Sequence, residues 1–210
     1  MAMRKPDEGI SEVISFVLIL AMLILAFTIW TLYAVPAGGE RMEEIHTANI
    51  QMQFSDFKSG VENVWIANST GVVRESVFML GPDVSESGLE ILSFPLTKAS
   101  GTLSVTANTS MGPLVHVDGV ADYWPVVVRY SGKNVYTSDL TLEYSGYDNS
   151  VKAYGPSGNL LYVLPGSNQY KVLVPEGTKS EISGNGRAVI EYRLVGNETN
   201  NYLYNMGVRP

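Results

Sequence analysis

The feature that most constrains this chain is an uncharged run at residues 13–35, VISFVLILAMLILAFTIWTLYAV. It contains 23 residues without Asp, Glu, Lys or Arg. As a helix it would be roughly 35 Å long at about 1.5 Å per residue, and the hydrocarbon core of a bilayer is about 30 Å thick. Trp30 and Tyr33 lie near its far end, where amphipathic rings favour the membrane interface. The run therefore predicts a membrane-spanning helix.

The charges on either side of the run predict its orientation. Arg4 and Lys5 precede it, whereas the acidic residues Glu40, Glu43 and Glu44 follow it. Basic residues that flank a membrane helix tend to stay on the cytoplasmic side. We therefore expect the N-terminus in the cytoplasm and the C-terminal domain outside the cell.

Two other interpretations of the run stay open. A cleaved signal peptide has a shorter apolar region, of about 7–15 residues. Its cut would follow Ala37, and the preceding Pro36 speaks against that position. A plain single-pass anchor, with no processing at all, is the other alternative.

The residues before the run have an unusual order. A basic pair and an acidic pair at 4–8 precede Gly9, and Ile10, Ser11 and Glu12 lead into the run. This order resembles the class III signal peptides of type IV pilin-like proteins, particularly archaeal pilins. The resemblance implies that a prepilin peptidase cuts between Gly9 and Ile10 on the cytoplasmic side and that the apolar helix is kept. It also implies that stacked copies of this helix form the core of a filament.

The chain departs from the bacterial members of that family. Bacterial pilins carry a Glu at the fifth position of the mature chain, which is Ile14 here, whereas Glu12 is the third. The glycine-rich start typical of archaellins is also missing. The chain therefore resembles an archaeal pilin more closely. At the tip of the helix, Glu12 either gains from the helix macrodipole and pairs with the free α-amino group, or lies among lipid headgroups.

A second helical pattern follows the run. Pro36, Gly38 and Gly39 are expected to end or kink the first helix, and the acidic residues after them favour a new helix from 40 to about 65. Its apolar residues form two stripes. The first comprises Ile50, Phe54, Phe57, Val61 and Val64, and the second comprises Met42, Ile45, Ala48 and Met52. We expect the first stripe to pack on the chain's own domain. The second, through Ile45 and Met52, is expected to contact neighbouring helices, unless the helix simply has a generous apolar content.

From about residue 64 the pattern changes to short apolar runs separated by turn residues. Candidate strands are 64–68, 72–80, 89–96, 101–107, 113–118, 124–130, 139–145, 150–154, 159–164, 170–174 and 186–195. Their spacing of about ten residues, without intervening helices, predicts an all-β, sandwich-like domain. The last stretch, 197–210, is expected to be an edge strand or a loose tail. The predicted fold class is therefore α+β, a long N-terminal helix followed by this domain.

Residues that suggest chemistry are scarce. The chain has no cysteine, which excludes disulfides, thiolate metal sites and thiol nucleophiles. His46 lies on the second predicted helix and His116 in a predicted strand, and neither has a close sequence partner that suggests a metal ligand. Acidic residues near predicted loops match no calcium-loop spacing. They are Asp118, Asp122, Asp139 and Asp148. We therefore expect no enzymatic activity, no cofactor and no metal.

Three sequons lie beyond the apolar run, at Asn68, Asn108 and Asn197, and they are possible glycosylation sites of an exported domain. The net charge of −7 argues against a nucleic-acid partner. The expected partners are the lipid membrane, a prepilin peptidase, and copies or pilin-like relatives that bind through the N-terminal helix.

Four segments with different roles are predicted. They are a cytoplasmic leader (1–9), a transmembrane and assembly helix (10–35), a membrane-proximal amphipathic helix (36–64) and an extracellular β-sandwich domain (65–210). This organisation favours a pilin-like surface subunit that is stored in the membrane and assembled into a surface filament. A monomeric, membrane-tethered adhesion or envelope domain is the alternative from another class, and an anchored enzyme is the third.

Overall fold

A computed structural model describes residues 6–82, 99–117, 121–167 and 170–210. Helix α1 spans Pro6–Ile29, a π-helical turn spans Trp30–Ala34, and helix α2 spans Val35–Ile66. The three segments follow one another without a break, so that Ser11–Ile66 alone is a helix of 56 residues. A mixed, 11-stranded sheet follows, which confirms the predicted α+β class.

The helix does not end at Pro36. Proline lacks the backbone N–H that would bond to the carbonyl of Leu32, and its ring crowds that carbonyl. The chain adapts by widening the preceding turn into the π-helical segment, and α2 then continues through Gly38 and Gly39. Gly39 is buried, and the ring of Tyr136 lies where its side chain would be. The glycine thus permits a close approach of the β domain instead of ending the helix.

The strands have the following bounds. They are β1 (Val73–Met79), β2 (Ser100–Ala107), β3 (Val115–Val117), β4 (Ala121–Lys133), β5 (Leu140–Ser145), β6 (Ser150–Tyr154), β7 (Leu160–Leu164), β8 (Lys171–Pro175), β9 (Lys179–Gly184), β10 (Arg187–Glu198) and β11 (Asn201–Arg209). The main path is β1-β10-β11-β8-β4-β5-β6-β7, with β2 and β3 paired to β4 and β9 paired to β2. Apart from the parallel pair β11–β8, the pairings are antiparallel. We call this sheet domain the head.

The long strand β4 joins the two halves of the sheet. Its first part pairs with β8 at Tyr123–Pro125, and its second part pairs with β2 and β5 from Val126 onward. The main core takes buried side chains from both halves and from α2. The sandwich-like core therefore includes the helix as one of its packing elements.

Most predicted strands are present, and the exceptions have physical reasons. The candidate at 64–68 is wrong, because α2 continues to Ile66 and buries Val64. The candidate at 89–96 lies outside the described residues. The polar strand β9 was not predicted. The tail prediction is also wrong, because β11 lies inside the sheet between β10 and β8. One partner, β10, is the preceding strand of the same hairpin, whereas the other, β8, comes from a more distant segment that local composition does not reveal.

Candidate assembly surface and the attachment of the head

The apolar run is exposed along most of its length. Residues 11–33 are all exposed in the isolated chain, for example Leu25 at 64% and Tyr33 at 73%. By length and composition this helix is able to cross a membrane. The hydroxyl of Thr28 donates to the backbone carbonyl of Ile24 at 2.8 Å. The hydroxyl of Thr31 donates to the backbone carbonyl of Thr28 at 3.0 Å. These polar groups are thus satisfied within the helix, as an apolar environment requires.

The first stripe of α2 forms the centre of the head's core, as predicted. Ile50, Phe54, Phe57 and Val61 have no exposed surface, and Val64 is 3% exposed. Phe57 alone makes edge-to-face contacts with three aromatic rings of the sheet. These rings are Tyr144 at 5.2 Å, Tyr192 at 5.5 Å and Phe78 at 6.1 Å between centroids. Burial of this stripe fixes which face of the helix meets the head.

The second stripe behaves differently from the first. Ile45 is 42% exposed, Met52 is 59% exposed, and Ala48 between them is exposed as well. We call these three residues the outer stripe. The expectation for Met42 is wrong, because this side chain is buried on the side of the head. The outer stripe therefore begins one turn later than predicted, and the exposed Arg41 lies between it and the apolar surface of α1.

Glu43 attaches the loop between β4 and β5 to the helix. Its carboxylate has no exposed surface and accepts the backbone N–H groups of Val135, Tyr136 and Thr137 at 2.7, 2.9 and 2.7 Å. The Thr137 hydroxyl donates a fourth bond at 3.0 Å. Sequence reasoning interpreted Glu43 only as part of an acidic helix start. Its actual partners lie more than 90 positions away in the chain, so no local signal predicts them.

Glu62 forms a second polar attachment farther along α2. It accepts hydrogen bonds from Lys58 at 2.8 Å and from the amide of Asn149 at 2.6 Å. Asn149 in turn accepts the hydroxyl of the fully buried Tyr144 at 2.8 Å. Asn149 has a φ of 51°, the left-handed conformation that Asn tolerates in turns. The two attachments, at Glu43 and Glu62, hold opposite ends of the head on one rigid helix.

His46 belongs to the packing of the head. Its Nε2 lies 2.9 Å from the hydroxyl oxygen of Tyr130, which itself donates to the carbonyl of Leu80 at 3.3 Å. Because that hydroxyl has a single proton, His46 is the donor in this pair. Burial lowers the pKa of His46, and the nearby charge of Glu43 offsets this only in part. The neutral form of His46 is therefore favoured, and its role is to pack and hydrogen-bond inside the head.

His116 has a partner that the sequence analysis overlooked. It faces Asp122 across the β3–β4 pairing, and its Nδ1 is hydrogen-bonded to the Asp122 carboxylate. The signal for this pair is a short hairpin, since the two residues are only six positions apart. The other acidic candidates bond within their own loops: Asp139 accepts the N–H of Asn134, and Asp148 accepts Ser150. Asp118 lies outside the described residues.

The described part of the chain brings together no group of three or more His, Cys, Asp or Glu side chains that could hold a metal ion. Of the predicted site residues, Gly9 and Ile10 lie within α1, and Glu12 is exposed near its start. The roles of these three residues in processing and assembly stay predictions.

The three sequons lie at different kinds of position. Asn68 is exposed just after α2, and Asn197 is exposed near the end of β10. Asn108 is half-buried, and its backbone N–H donates to the carbonyl of Pro125 at 2.8 Å. Their glycosylation stays a prediction, and the exposure of Asn68 and Asn197 makes them the more accessible of the three.

Comparison of the chain with protein-family models, with curated proteins and with solved structures found no match. Its architecture is pilin-like, a long apolar N-terminal helix that enters a β-sheet head.

Proposed function

We propose that this chain is a type IV pilin-like surface subunit of the kind found in archaea. One observation carries the proposal: a single unbroken helix is exposed and apolar in its first half and forms the core of the head in its second half. A soluble domain gains nothing from exposing such a long apolar surface to water. A subunit that is first stored in lipid and then packed against copies of itself requires it.

The same apolar surface suits both environments. In the membrane, the helix satisfies its own backbone and its threonine hydroxyls, so lipid is an adequate solvent for it. In a filament, the side chains at 13–33 contact the helices of neighbouring copies. The outer stripe of Ile45, Ala48 and Met52 extends this contact beyond the membrane-spanning length. The attachments at Glu43 and Glu62 keep the head in a constant orientation on the helix.

Processing is the second part of the proposal. A prepilin peptidase cuts between Gly9 and Ile10, and the helix is retained with the head outside the cell. Glu12, exposed near the new N-terminus, then pairs with the free α-amino group of Ile10 within one chain or between copies. The head acts without catalysis, as a displayed surface for adhesion that the sequons allow to be glycosylated. In support, His46 is committed to packing, and His116 is bonded to Asp122.

The test is the mass of the mature protein, purified from cells that contain the processing peptidase, together with electron microscopy of the cell surface. A chain that starts at Ile10, with filaments containing it, is the expected result. Gly9→Phe should keep the leader and abolish filaments, whereas the matched change Gly38→Ala should affect neither. An intact leader without filaments supports the membrane-tethered monomer instead, and a start at Gly38 indicates a secreted protein.

A further inference from the structure

The strand β7 ends the described sheet with an apolar surface that no described segment covers. Four consecutive residues are exposed, Leu160 at 54%, Leu161 at 55%, Tyr162 at 36% and Val163 at 43%. The strand contains no charged residue and no proline. Natural proteins usually protect a free sheet edge with charges, prolines or a covering segment. The sequence of β7 therefore favours pairing with another strand.

Both faces of β7 contribute to this surface. Tyr162 lies opposite the buried Ala153 of β6 and thus faces the core side, whereas Val163 lies opposite Lys152 and faces the other side. The sheet extends one strand beyond the part that α2 covers. A groove of about 590 Å³ separates β7 from the helix, and its lining includes Ala48 of the outer stripe and Leu161. Most of the other lining residues are polar, among them Glu44, Gln51 and Asp139, so the groove separates the outer stripe from the apolar surface of β7.

Within the described residues, the other end of the sheet path is also free. Strand β1 pairs only with β10, and its opposite edge meets no other described strand. Val73 and Val77 are 54% and 40% exposed, on the face opposite to the buried Phe78. The charge of Glu75 on this strand is paired with Arg209 at 2.6 Å. The exposed residues of β1 therefore include the apolar Val73 and Val77 and also a second charged residue, Arg74.

The strand directions decide between the possible pairings. Seven pairings connect β1 to β7 along the sheet path, and six of them are antiparallel, so β1 and β7 have the same sense in the sheet order. Antiparallel pairing of two β7 strands has its twofold axis perpendicular to the sheet, which would point the two long helices in opposite directions. Copies anchored in one membrane point the same way. Pairing of β7 with β1 of the next copy satisfies this condition.

We propose that the head carries a second assembly contact, in which β7 of one copy adds in parallel to β1 of the next. This inference rests on the proposed function, and it names the partner surface of the head. Among the other edges of the described sheet, β9 has the opposite sense to β7 in the sheet order, and β3 has only three residues. A contact between two different edges does not close on itself, so it generates an open filament or a ring.

The test uses the full-length chain in the membranes of cells that assemble it. Because the chain has no cysteine, introduced cysteines report one contact without background. Val163→Cys is combined in one chain with Val73→Cys, Glu75→Cys or Val77→Cys to scan the register, and mild oxidation follows. At least one combination should give a ladder of multimers with a crosslinked fraction at least tenfold above either single variant. The matched control, Val163→Cys with Met111→Cys, should give none.

The alternatives have distinct outcomes. A dimer from Val163→Cys alone indicates that β7 pairs with itself and overturns the proposal. The single variant Ile45→Cys reports contact between outer stripes. If it crosslinks while every β1–β7 combination fails, the pilin-like assembly stands and the edge pairing is wrong. If neither crosslinks and no filaments form, both proposals are wrong.

A second measurement avoids cysteine chemistry. Val163→Lys places a charge on an exposed position of the edge and should leave the denaturation midpoint of the head unchanged. It should shorten the assemblies at least tenfold by mean length, whereas Met111→Lys, at a position that is 46% exposed, should not. Assemblies of normal length from Val163→Lys would contradict the proposal.

Discussion

Glu43 and Thr137 lie 94 positions apart in the chain, and both the N–H and the hydroxyl of Thr137 donate to one carboxylate oxygen of Glu43, at 2.7 and 3.0 Å. The carboxylate is fully buried, and its other oxygen accepts the N–H of Val135. These hydrogen bonds attach the loop between β4 and β5 to the part of α2 that is nearest the membrane-spanning segment.

Removal of the Glu43 carboxylate should destabilise the head. Hydrogen bonds to charged groups contribute about 1.5–3 kcal/mol each, and Glu43→Ala leaves three backbone donors unpaired. Because water reaches part of this loop, we expect a loss of about 2–4 kcal/mol in the free energy of unfolding. Urea denaturation of the detergent-solubilised chain, followed by tryptophan fluorescence, measures it. The exposed neighbour change Glu44→Ala should stay within about 0.5 kcal/mol, and equal effects of the two would contradict the role of Glu43.

The first stripe of α2 should dominate the stability of the core. Phe57→Ala removes a fully buried ring from contact with three others, and such changes cost about 3–5 kcal/mol. Met52→Ala, on the same helix but exposed, should change the free energy of unfolding by less than about 0.5 kcal/mol. The same denaturation experiment compares them. A small effect of Phe57→Ala would mean that the head folds without the helix.

The head should lose stability as the pH falls below about 6.5. Burial lowers the pKa of His46 below its ordinary value of 6.5, so the unfolded chain takes up a proton in a range where the folded chain does not. The unfolded state then binds more protons, and the free energy of unfolding falls with decreasing pH, by at most about 1.4 kcal/mol per pH unit. Denaturation midpoints between pH 5 and pH 8 measure this slope.

The variant His46→Gln supplies the comparison for this slope. Its amide retains a donor for Tyr130 but does not titrate, so the slope just below pH 6.5 should be reduced, whereas Gln51→Ala should keep it.

Asp148 affects the stability in a separate, more acidic pH range. Burial raises its pKa, but hydrogen bonds from Ser150 and Ser145 and the charge of Lys152 bring it below 3.8. Its stabilising contribution is therefore lost only under more acidic conditions.

A charge on the outer stripe should block assembly without unfolding the head. Ile45→Glu places a carboxylate on an exposed apolar position of α2, where it would be desolvated by a neighbouring helix. We expect filaments to be lost or shortened at least tenfold, with an unchanged denaturation midpoint. Electron microscopy and sedimentation measure the assemblies. Glu40→Lys, at an exposed position of the same helix away from the outer stripe, is the matched control, and filaments of normal length from Ile45→Glu would refute the role of the outer stripe.

The sequence alone determined the features that depend on local periodicity. The uncharged run at 13–35 predicted an exposed apolar helix, and the spacing of Ile50, Phe54 and Phe57 predicted which side of α2 is buried. Most strands were predicted from alternation and turn residues. These signals work because a helix repeats every 3.6 residues and a strand every two. The spacing of apolar residues along the sequence therefore identifies the buried face of each element.

Only the tertiary structure decided which distant groups meet. The bonds of Glu43 to the β4–β5 loop, of His46 to Tyr130 and of Glu62 to Asn149 each span more than 80 positions. The inner place of β11 and the exposure of both faces of β7 likewise follow from the sheet order. The neighbouring sequence of a polar residue looks the same whether the residue is hydrogen-bonded to water or to a buried backbone group. Only the tertiary fold determines which of these partners it has.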